Sequence, residues 1–242
     1  NAAEDGLPEA MEKLVSMYRE AEGLDRDYDK AIEWQRRYVK RMKEVVENNP
    51  SSDSNLQLLW AMADLISYYM EQNRYEEARQ QCEELEERGN GASDSFFVMY
   101  SLYMSPKIEQ GIEMLGKDAD DSQTLFLKCC EFCKREYEKN KSPLALQMLT
   151  QSYLELGRIA YGVGHMTIAR EFYEKSIVYC RYLTEEYSQY RYRSLLSIVL
   201  AEHAAAECFL KRYDKAREAL EEALCLACAV YDEYRTPDLC KS

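Results

Sequence analysis

A five-residue phrase recurs along this chain: a charged residue, a tyrosine, two charged residues and an alanine. Its copies occupy residues 27–31, 74–78 and 212–216, with a degenerate copy at 165–169 and a weaker one near Gly111. The closing alanines of the first two copies are 47 residues apart, and so are those of the last two. Repetition at a fixed period indicates supersecondary units that bury their apolar faces on one another, so the core grows lengthwise.

The phrase is typical of the start of the second helix in a helix–turn–helix unit. The tyrosine is predicted to fill the cleft between the two helices, and the acidic residues complement the positive end of the helix dipole. The small alanine lets the antiparallel helix approach closely. An apolar residue follows one turn later, and it is predicted to share the buried face. These residues are Cys82, Tyr173 and Leu220.

Composition supports a helical chain, since the sequence holds only 9 Gly and 5 Pro while hydrophobic residues make up 46%. Turn-dense or strand-rich architectures need more glycine, proline and β-branched residues. Apolar periodicity and breaks such as Ser105-Pro106 and Ser142-Pro143 predict eleven helices. They are expected at about 8–22, 27–48, 54–72, 75–89, 94–104, 106–117, 121–140, 143–162, 166–187, 190–211 and 214–234.

Apolar residues upstream of two phrases follow the helical spacing i, i+3, i+4, i+7. They are Met62, Leu65, Ile66 and Tyr69 before Ala78, and Tyr153, Leu156, Gly157 and Ala160 before Ala169. This order of large, small and aromatic residues resembles the tetratricopeptide repeat (TPR) family. Copies lie at about 150–183, 59–92 and 197–230, and the last departs from the pattern at His203 and Glu207, where apolar residues are expected.

Residues 2–40 resemble a narrower relative, the Sel-one-like repeat. The matching positions include Ala3, Gly6, Leu7, Ala10, Leu14, Tyr18, Gly23, Leu24, Tyr28, Ala31 and Trp34. The resemblance implies a longer turn between the two helices, and further repeats upstream of Asn1. Because the chain starts inside a patterned segment without a methionine, we expect a piece of a longer protein, in which an upstream signal peptide would be invisible here.

The resemblances imply an all-α fold, a right-handed superhelical solenoid of antiparallel helix pairs. We expect residues 1–242 to form a single repeat array. Its predicted parts are a Sel-one-like repeat at 1–48, TPR-like repeats at 50–117, an irregular helical connector at 118–142, and long-helix TPR-like repeats at 143–242.

The net charge of −13 disfavours nucleic acid and anionic membranes, which both need clustered Lys and Arg. In the run 187–193 tyrosines and arginines alternate, which could stack bases, but a local contact patch or an inter-helix ion pair fits an acidic chain better. No apolar run approaches the ~20 residues of a membrane span. Nine cysteines without a disulfide framework indicate a reducing compartment, so we expect a cytoplasmic protein.

No residue pattern indicates catalysis. The two histidines, His165 and His203, have no strained nucleophile turn or orienting partner near them in sequence. Two Cys-x-x-Cys pairs, Cys130/Cys133 and Cys225/Cys228, could bind zinc if their helices met, but mid-helix cysteines are predicted to be core residues. We therefore expect no enzyme activity, no cofactor and no metal.

In the tetratricopeptide repeat family the first helices of successive repeats line a concave groove that binds peptides or a helix. The matching positions are Trp60, Ala63, Ser67 and Met70, then Gln151, Leu154, Arg158 and Tyr161, then Ile198, Ala201 and Ala205. The Lys and Asn of the family's carboxylate-clamp subgroup are missing from these positions. The groove is predicted to be apolar and aromatic, with Trp60 and Tyr161 as anchors for a hydrophobic or amphipathic segment.

The leading hypothesis is therefore a scaffold or adaptor that binds a protein or peptide partner. The alternative is a regulatory or self-association module, which forms a homo-oligomer or contacts another domain of a larger protein. A metal-binding or nucleic-acid-binding protein is the remote alternative.

Overall fold

The computed structural model describes residues 3–4, 6–21, 23, 25–91, 95–118, 120–187 and 189–235, with side chains as far as 231. Asp5, Leu24 and Ser188, which belong to segments singled out above, lie outside these residues. In the described part every regular element is an α-helix, and none of these helices has a stretch long and apolar enough to cross a bilayer.

Ten helices are seen within these ranges, and they fall into two compact units, Asn1–Ser122 and Gln123–Ser242. The first unit contains α1 (Pro8–Glu20), α2 (Tyr28–Asn48), α3 (Ser52–Glu71), α4 (Tyr75–Gly91) and α5 (Ser95–Met114). The second contains nearly all of α6 (Ser122–Asn140), then α7 (Pro143–Gly162), α8 (Met166–Glu186), α9 (Tyr190–Phe209) and α10 (Tyr213–Arg235).

The two helices predicted at 94–104 and 106–117 are one continuous helix, α5, so the predicted break at Pro106 is wrong. A proline inside a helix removes one backbone hydrogen bond and usually kinks or ends it. Here Pro106 is itself buried, and Phe97 and Ile108 on either side of it are almost fully buried. Burial of this apolar face outweighs the local preference for a break.

Three helix pairs share one turn geometry. The connections at 72–74, 163–165 and 210–212 each have a middle residue in the left-handed region. The amide of each third residue donates to the carbonyl five residues earlier, which satisfies the end of the first helix as in a Schellman motif. These bonds are Arg74 to Tyr69 (2.8 Å), His165 to Ala160 (2.8 Å) and Arg212 to Glu207 (2.9 Å). The repeated phrase therefore lies where the first helix of each of these pairs ends and the second begins.

The first pair differs, because α1 and α2 are joined by the seven residues 21–27. The Asp27 amide donates to the Tyr18 carbonyl at 2.9 Å, and the Asp27 side chain accepts from the Lys30 amide at 3.0 Å. Asp27 thus closes the turn and caps α2. This connection has the longer turn that the Sel-one-like resemblance implies.

The alanines that close the repeated phrases are all buried, as predicted, at positions 31, 78, 169 and 216. Cys82 and Tyr173, one turn later, are buried too. The same expectation is wrong for Leu220, which is 48% exposed, and the predicted cleft position is wrong for Tyr213, which is 64% exposed. Both lie on α10, whose packing among the described helices is almost entirely against α9, with an ion pair from Glu222 to Arg181 of α8.

A tyrosine ring packs against a bare glycine in each unit. A Cβ atom built on Gly157 of α7 would lie 2.3 Å from Cε1 of Tyr173 in α8, and one on Gly111 of α5 would lie equally close to Cε1 of Tyr75 in α4. Carbon atoms cannot approach to that distance, so only glycine allows these helices their separation. Aliphatic residues make up most of each core, around Met62 in the first unit and Leu200 in the second, with Tyr69 and Phe97 also buried in the first.

We expect Gly157→Ala to lower the free energy of unfolding by about 1–3 kcal/mol, because the new methyl group overpacks the Tyr173 ring. Gly162→Ala in the same helix is the matched control, since no atom lies within 4 Å of a Cβ there. This control should be neutral or stabilising by up to about 1 kcal/mol. Urea unfolding of both variants makes the comparison, and equal midpoints would contradict the close packing.

Candidate functional site

The first candidate surface is formed by α3 and α5, and we call it the α3–α5 face. Trp60 of α3 has its ring centroid 4.8 Å from that of Phe96 and 5.2 Å from that of Phe97, both on α5. Phe97 is buried, whereas Trp60 keeps 48% of its surface exposed. A large ring held on one side by packing and open on the other is preorganised for contact.

Hydrogen bonds join the same two helices one to two turns further along. The hydroxyl oxygens of Ser67 and Tyr100 lie 3.0 Å apart, and Tyr100 donates to the carbonyl oxygen of Ala63 at 3.2 Å. Burial raises the pKa of Tyr100, which therefore stays a neutral donor at pH 7. Of the other predicted groove positions in α3, Ala63 is buried and Met70 is partly buried against the core.

Acidic groups border this face. Asp64 is exposed one turn after Trp60, and partial desolvation raises the pKa of its carboxyl group while Arg19 of α1 opposes that shift. Arg19 lies over the Tyr68 ring at 4.7 Å and pairs with Glu71 at 2.9 Å. Asp64 thus adds a negative charge beside the exposed aromatic ring.

The second candidate surface is formed by α7 and α9, and we call it the α7–α9 face. Arg158 of α7, the one basic residue among the predicted groove positions, pairs with Glu202 of α9 at 2.9 Å and with Glu155 at 3.2 Å. Its charge is therefore compensated within the unit. Tyr161 makes an edge-to-face contact with Phe209, with ring centroids 5.4 Å apart.

The remaining predicted groove residues of the second unit differ in exposure. Leu154 is buried in the core, Gln151 is partly buried, Ile198 is 46% exposed and Ala201 is exposed. A partner could reach Ile198 and Ala201 without displacing the core, but not Leu154. Arg158 thus contacts the middle of α9 through Glu202, and Tyr161 contacts its C-terminal end through Phe209.

Sequence reasoning missed the residues that complete both faces. They are Phe96 and Tyr100 in the first unit, and Glu202 and Phe209 in the second. Two of them lie in α5, where the repeat pattern is weak and no register could be assigned. The signal that existed was the aromatic spacing of Phe96 and Tyr100 at i, i+4, which places both rings on one side of the helix.

A different group of polar side chains converges where α9 meets α8, and we call it the Glu–His cluster: the exposed Glu174, the mostly buried His203 and the buried Glu207. Nε2 of His203 lies 3.9 Å from Oε1 of Glu174 and 3.4 Å from Oε1 of Glu207. Glu207 is completely buried, and the His203 side chain is only 12% exposed. One donor atom from each residue lies within 4.8 Å of the others, a separation compatible with a shared metal ion.

Charges around the cluster come from two arginines. Nε of Arg212 lies 3.1 Å from Oε2 of Glu207, and Nε of Arg170 lies 3.9 Å from Oε1 of Glu174. Even so, neither oxygen of Glu207 and neither ring nitrogen of His203 has a hydrogen-bond partner. Burial lowers the pKa of His203, with the neighbouring carboxylates opposing it. His165, the other histidine, is exposed at the turn before α8.

The cysteines separate into two groups. Cys130 and Cys133 are buried in α6, as predicted. Burial raises the pKa of the Cys130 thiol, and the neighbouring Cys129 thiol together with burial raises that of Cys133. Cys225 and Cys228 are exposed on α10, so the predicted core position is wrong for that pair. Within the described residues the structure assembles no metal-ligating group that contains a cysteine. The zinc site that both Cys-x-x-Cys pairs could form if their helices met therefore has no geometric support.

The tyrosine–arginine run at 187–193 makes contacts inside the second unit. Tyr192 is buried, and the Arg191 guanidinium lies 4.8 Å from its ring and donates to its hydroxyl at 2.8 Å. The Tyr187 hydroxyl donates to the carbonyl of Lys141 at 2.9 Å. These rings serve local packing, in line with the contact-patch interpretation.

Comparison with known proteins gives a fold and no family assignment from sequence. No protein-family model matches the chain, and no curated protein matches it. Among solved structures, aspartyl phosphate phosphatase F from Bacillus subtilis superposes with a TM-score of 0.54 at 14% identity, covering 94% of this chain and 61% of that one.

Two other solved structures are named for the repeat itself. A signal transduction ATPase with a tetratricopeptide repeat sensor, from Pyrococcus horikoshii, has a TM-score of 0.55 at 22% identity over 96% of this chain and 31% of that one. The TPR-like repeats of a putative kinesin light chain from Podospora anserina give 0.53 at 14% identity, over 93% and 98%. The chain therefore has the all-helical fold of tetratricopeptide-like repeat proteins. This chain spans less than two thirds of the length of the phosphatase and of the ATPase.

We expect Arg212→Ala to lower the free energy of unfolding by about 2 kcal/mol, because the buried Glu207 carboxylate loses its nearest cation. The cost is below that of a fully buried pair, since water reaches 32% of the Arg212 side chain. Arg217→Ala is the control: its ion pair with Asp214 is exposed, and the change should stay within about 0.5 kcal/mol. Denaturant unfolding in a chelating buffer measures both, and equal effects would contradict the role given to Arg212.

Proposed function

We propose that this chain is a non-catalytic protein-interaction module, whose α3–α5 face binds a short segment of a partner protein. The observation that carries the proposal is the half-exposed Trp60 ring, which packs on Phe96 and Phe97 at one edge and faces solvent elsewhere. Aromatic anchors of this kind supply most of the binding free energy of many interfaces.

Preorganisation favours this face over other exposed apolar residues. Trp60 is held by two rings, and the Ser67–Tyr100 hydrogen bond fixes α3 against α5 at the next position along the groove. Little side-chain entropy is lost when a partner covers a ring that is already immobilised. Isolated exposed residues such as Ile168 lack this support, and single exposed hydrophobic residues are common on protein surfaces.

Charge defines the partner further. Asp64 lies one turn from Trp60, and the whole chain carries a net charge of −13. A segment with a bulky apolar residue flanked by Lys or Arg would pair its apolar side chain with Trp60 and its cation with Asp64. The Arg158 guanidinium on the α7–α9 face is already paired, which makes that surface a weaker receptor for acidic groups.

The proposed scaffold role agrees with the fold. In the signal transduction ATPase a tetratricopeptide repeat is the sensor, and a role in recognising another molecule is what we propose for the repeats of this chain. The hydroxyl groups of Ser67 and Tyr100 on the α3–α5 face bond to each other and to a backbone carbonyl, so they serve to join the two helices. This surface is suited to binding a partner, and we propose no catalytic role for it.

The test is selection of peptides from a random display library against the whole chain. We expect enriched sequences with a large apolar residue next to Lys or Arg, and about tenfold or greater loss of affinity with Trp60→Ala, because the anchor is removed. Trp34→Ala is the matched control, since Trp34 lies on α2 and contacts Arg37. Fluorescence anisotropy of a labelled peptide measures both affinities, and circular dichroism confirms that both variants are folded.

Two outcomes would overturn the proposal. One is a selected peptide that binds Trp60→Ala and wild type equally while binding to an α7 variant such as Tyr161→Ala is lost. The other is a library with no enrichment against a chain that circular dichroism shows to be folded.

A further inference from the structure

The Glu–His cluster occupies positions that are apolar elsewhere in the fold. Counting back from the left-handed residue of each turn, Glu207 is equivalent to Tyr69 and Ala160, and His203 to Leu65 and Leu156. Those four equivalents are all buried and belong to the cores of their pairs. In α9 the core positions therefore hold two side chains that can ligate metals, one helical turn apart and on the same face.

The buried carboxylate of Glu207 calls for a partner that the described side chains do not fully supply. It is 0% exposed, and neither of its oxygens has a hydrogen-bond partner. Burying an ionised group without hydrogen bonds costs several kcal/mol, which proteins usually offset with a paired cation or a metal ion. Arg212 approaches Oε2 only, so Oε1 faces His203 with no donor of its own.

The three donors are close enough to converge on one ion, because all lie within 4.8 Å of one another. A tetrahedral zinc ion with ligands at about 2.0–2.1 Å holds neighbouring donor atoms about 3.3 Å apart. Here Nε2 of His203 lies 3.4 Å from Glu207 and 3.9 Å from Glu174, before any adjustment to an ion. Glu174 is on the surface of α8 and 47% exposed, so a change in its side-chain rotamer can bring its carboxylate to the ion.

A cavity gives the cluster access to solvent. It has a volume of about 320 Å³ and is lined by Glu174 of α8, Leu200 and His203 of α9, and several side chains of α10, among them Lys215 and Glu218. A fourth coordination position would open into this cavity, where water or an incoming side chain can complete the shell. Three protein ligands with one open position is the arrangement of accessible zinc sites.

From this geometry we infer that Glu174, His203 and Glu207 form a binding site for one divalent transition-metal ion of the zinc class. One imidazole nitrogen and two carboxylate oxygens suit zinc, cobalt or nickel better than magnesium or calcium, which take oxygen ligands alone. Arg212 holds Oε2 of Glu207 and leaves Oε1 for the ion. Arg170 lies 3.9 Å from Glu174 without a hydrogen bond, so an ion bound at Glu174 displaces only this weak contact.

The experiment titrates Co²⁺ and then Zn²⁺ into the whole chain after chelator treatment and desalting. Calorimetry gives the stoichiometry, and the visible spectrum of Co²⁺ reports four-coordinate nitrogen and oxygen ligands or, by an intense near-ultraviolet band, thiolates. We expect one equivalent bound with a visible spectrum and no thiolate band, and a thermal midpoint that rises with Zn²⁺.

Four variants locate the site. His203→Asn and Glu174→Gln should each weaken binding by about tenfold or more, because each removes a ligand. Their controls, His165→Asn and Glu171→Gln, change an exposed histidine and an exposed carboxylate of the same region and should leave the affinity unchanged. Glu174 is half exposed, so its variant remains informative even if His203→Asn unfolds.

The inference fails if the folded chain binds no Co²⁺ or Zn²⁺, or if both controls weaken binding as much as the ligand variants do. It also fails if a thiolate band appears and a Cys225→Ser/Cys228→Ser variant abolishes binding, because the ion then sits on the exposed cysteines of α10. Peptide binding at the α3–α5 face is measured separately on the same protein, so this failure leaves the proposed interaction function untouched.

Discussion

The contact between a tyrosine ring and a bare glycine sets the helix separation in both units. Tyr173 on Gly157 and Tyr75 on Gly111 bring paired helices closer than any side chain on the glycine would allow. The first of these contacts spans α7 and α8, which a short turn joins, and the second spans α4 and α5. The same turn with one left-handed residue also joins α3 to α4 and α9 to α10. Within each unit, side chains of alternate helices also meet: α3 contacts α5, and α7 contacts α9.

These contacts between helices form the α3–α5 face and the α7–α9 face. Trp60 reaches Phe96 because α3 lies beside α5, and Arg158 reaches Glu202 because α7 lies beside α9. The two contacts differ in consequence. An aromatic pair leaves half of the Trp60 surface open to a partner, whereas the ion pair satisfies the Arg158 charge and leaves less for a partner to gain.

Local patterns in the sequence predicted the helices and their buried anchor residues. They failed where contacts between residues distant in sequence determine the structure. Short-range spacing was enough to identify the buried alanine anchors and the helix pairs. It could not show that α5 continues through Pro106, because burial on both sides of the proline is a tertiary effect. His203 and Glu207 stood out as departures from the pattern, yet their partner Glu174 is on another helix, and sequence spacing carries no information about that approach.

The central claim is that the α3–α5 face receives a partner segment, and amide hydrogen exchange tests it most directly. Exchange of the whole chain is compared with and without a saturating, library-selected peptide. Bound peptide restricts local opening where it contacts the protein. The account predicts slower exchange in α3 and α5, with α4 and α10 unchanged. Protection confined to α4, or to helices of the second unit, would contradict it.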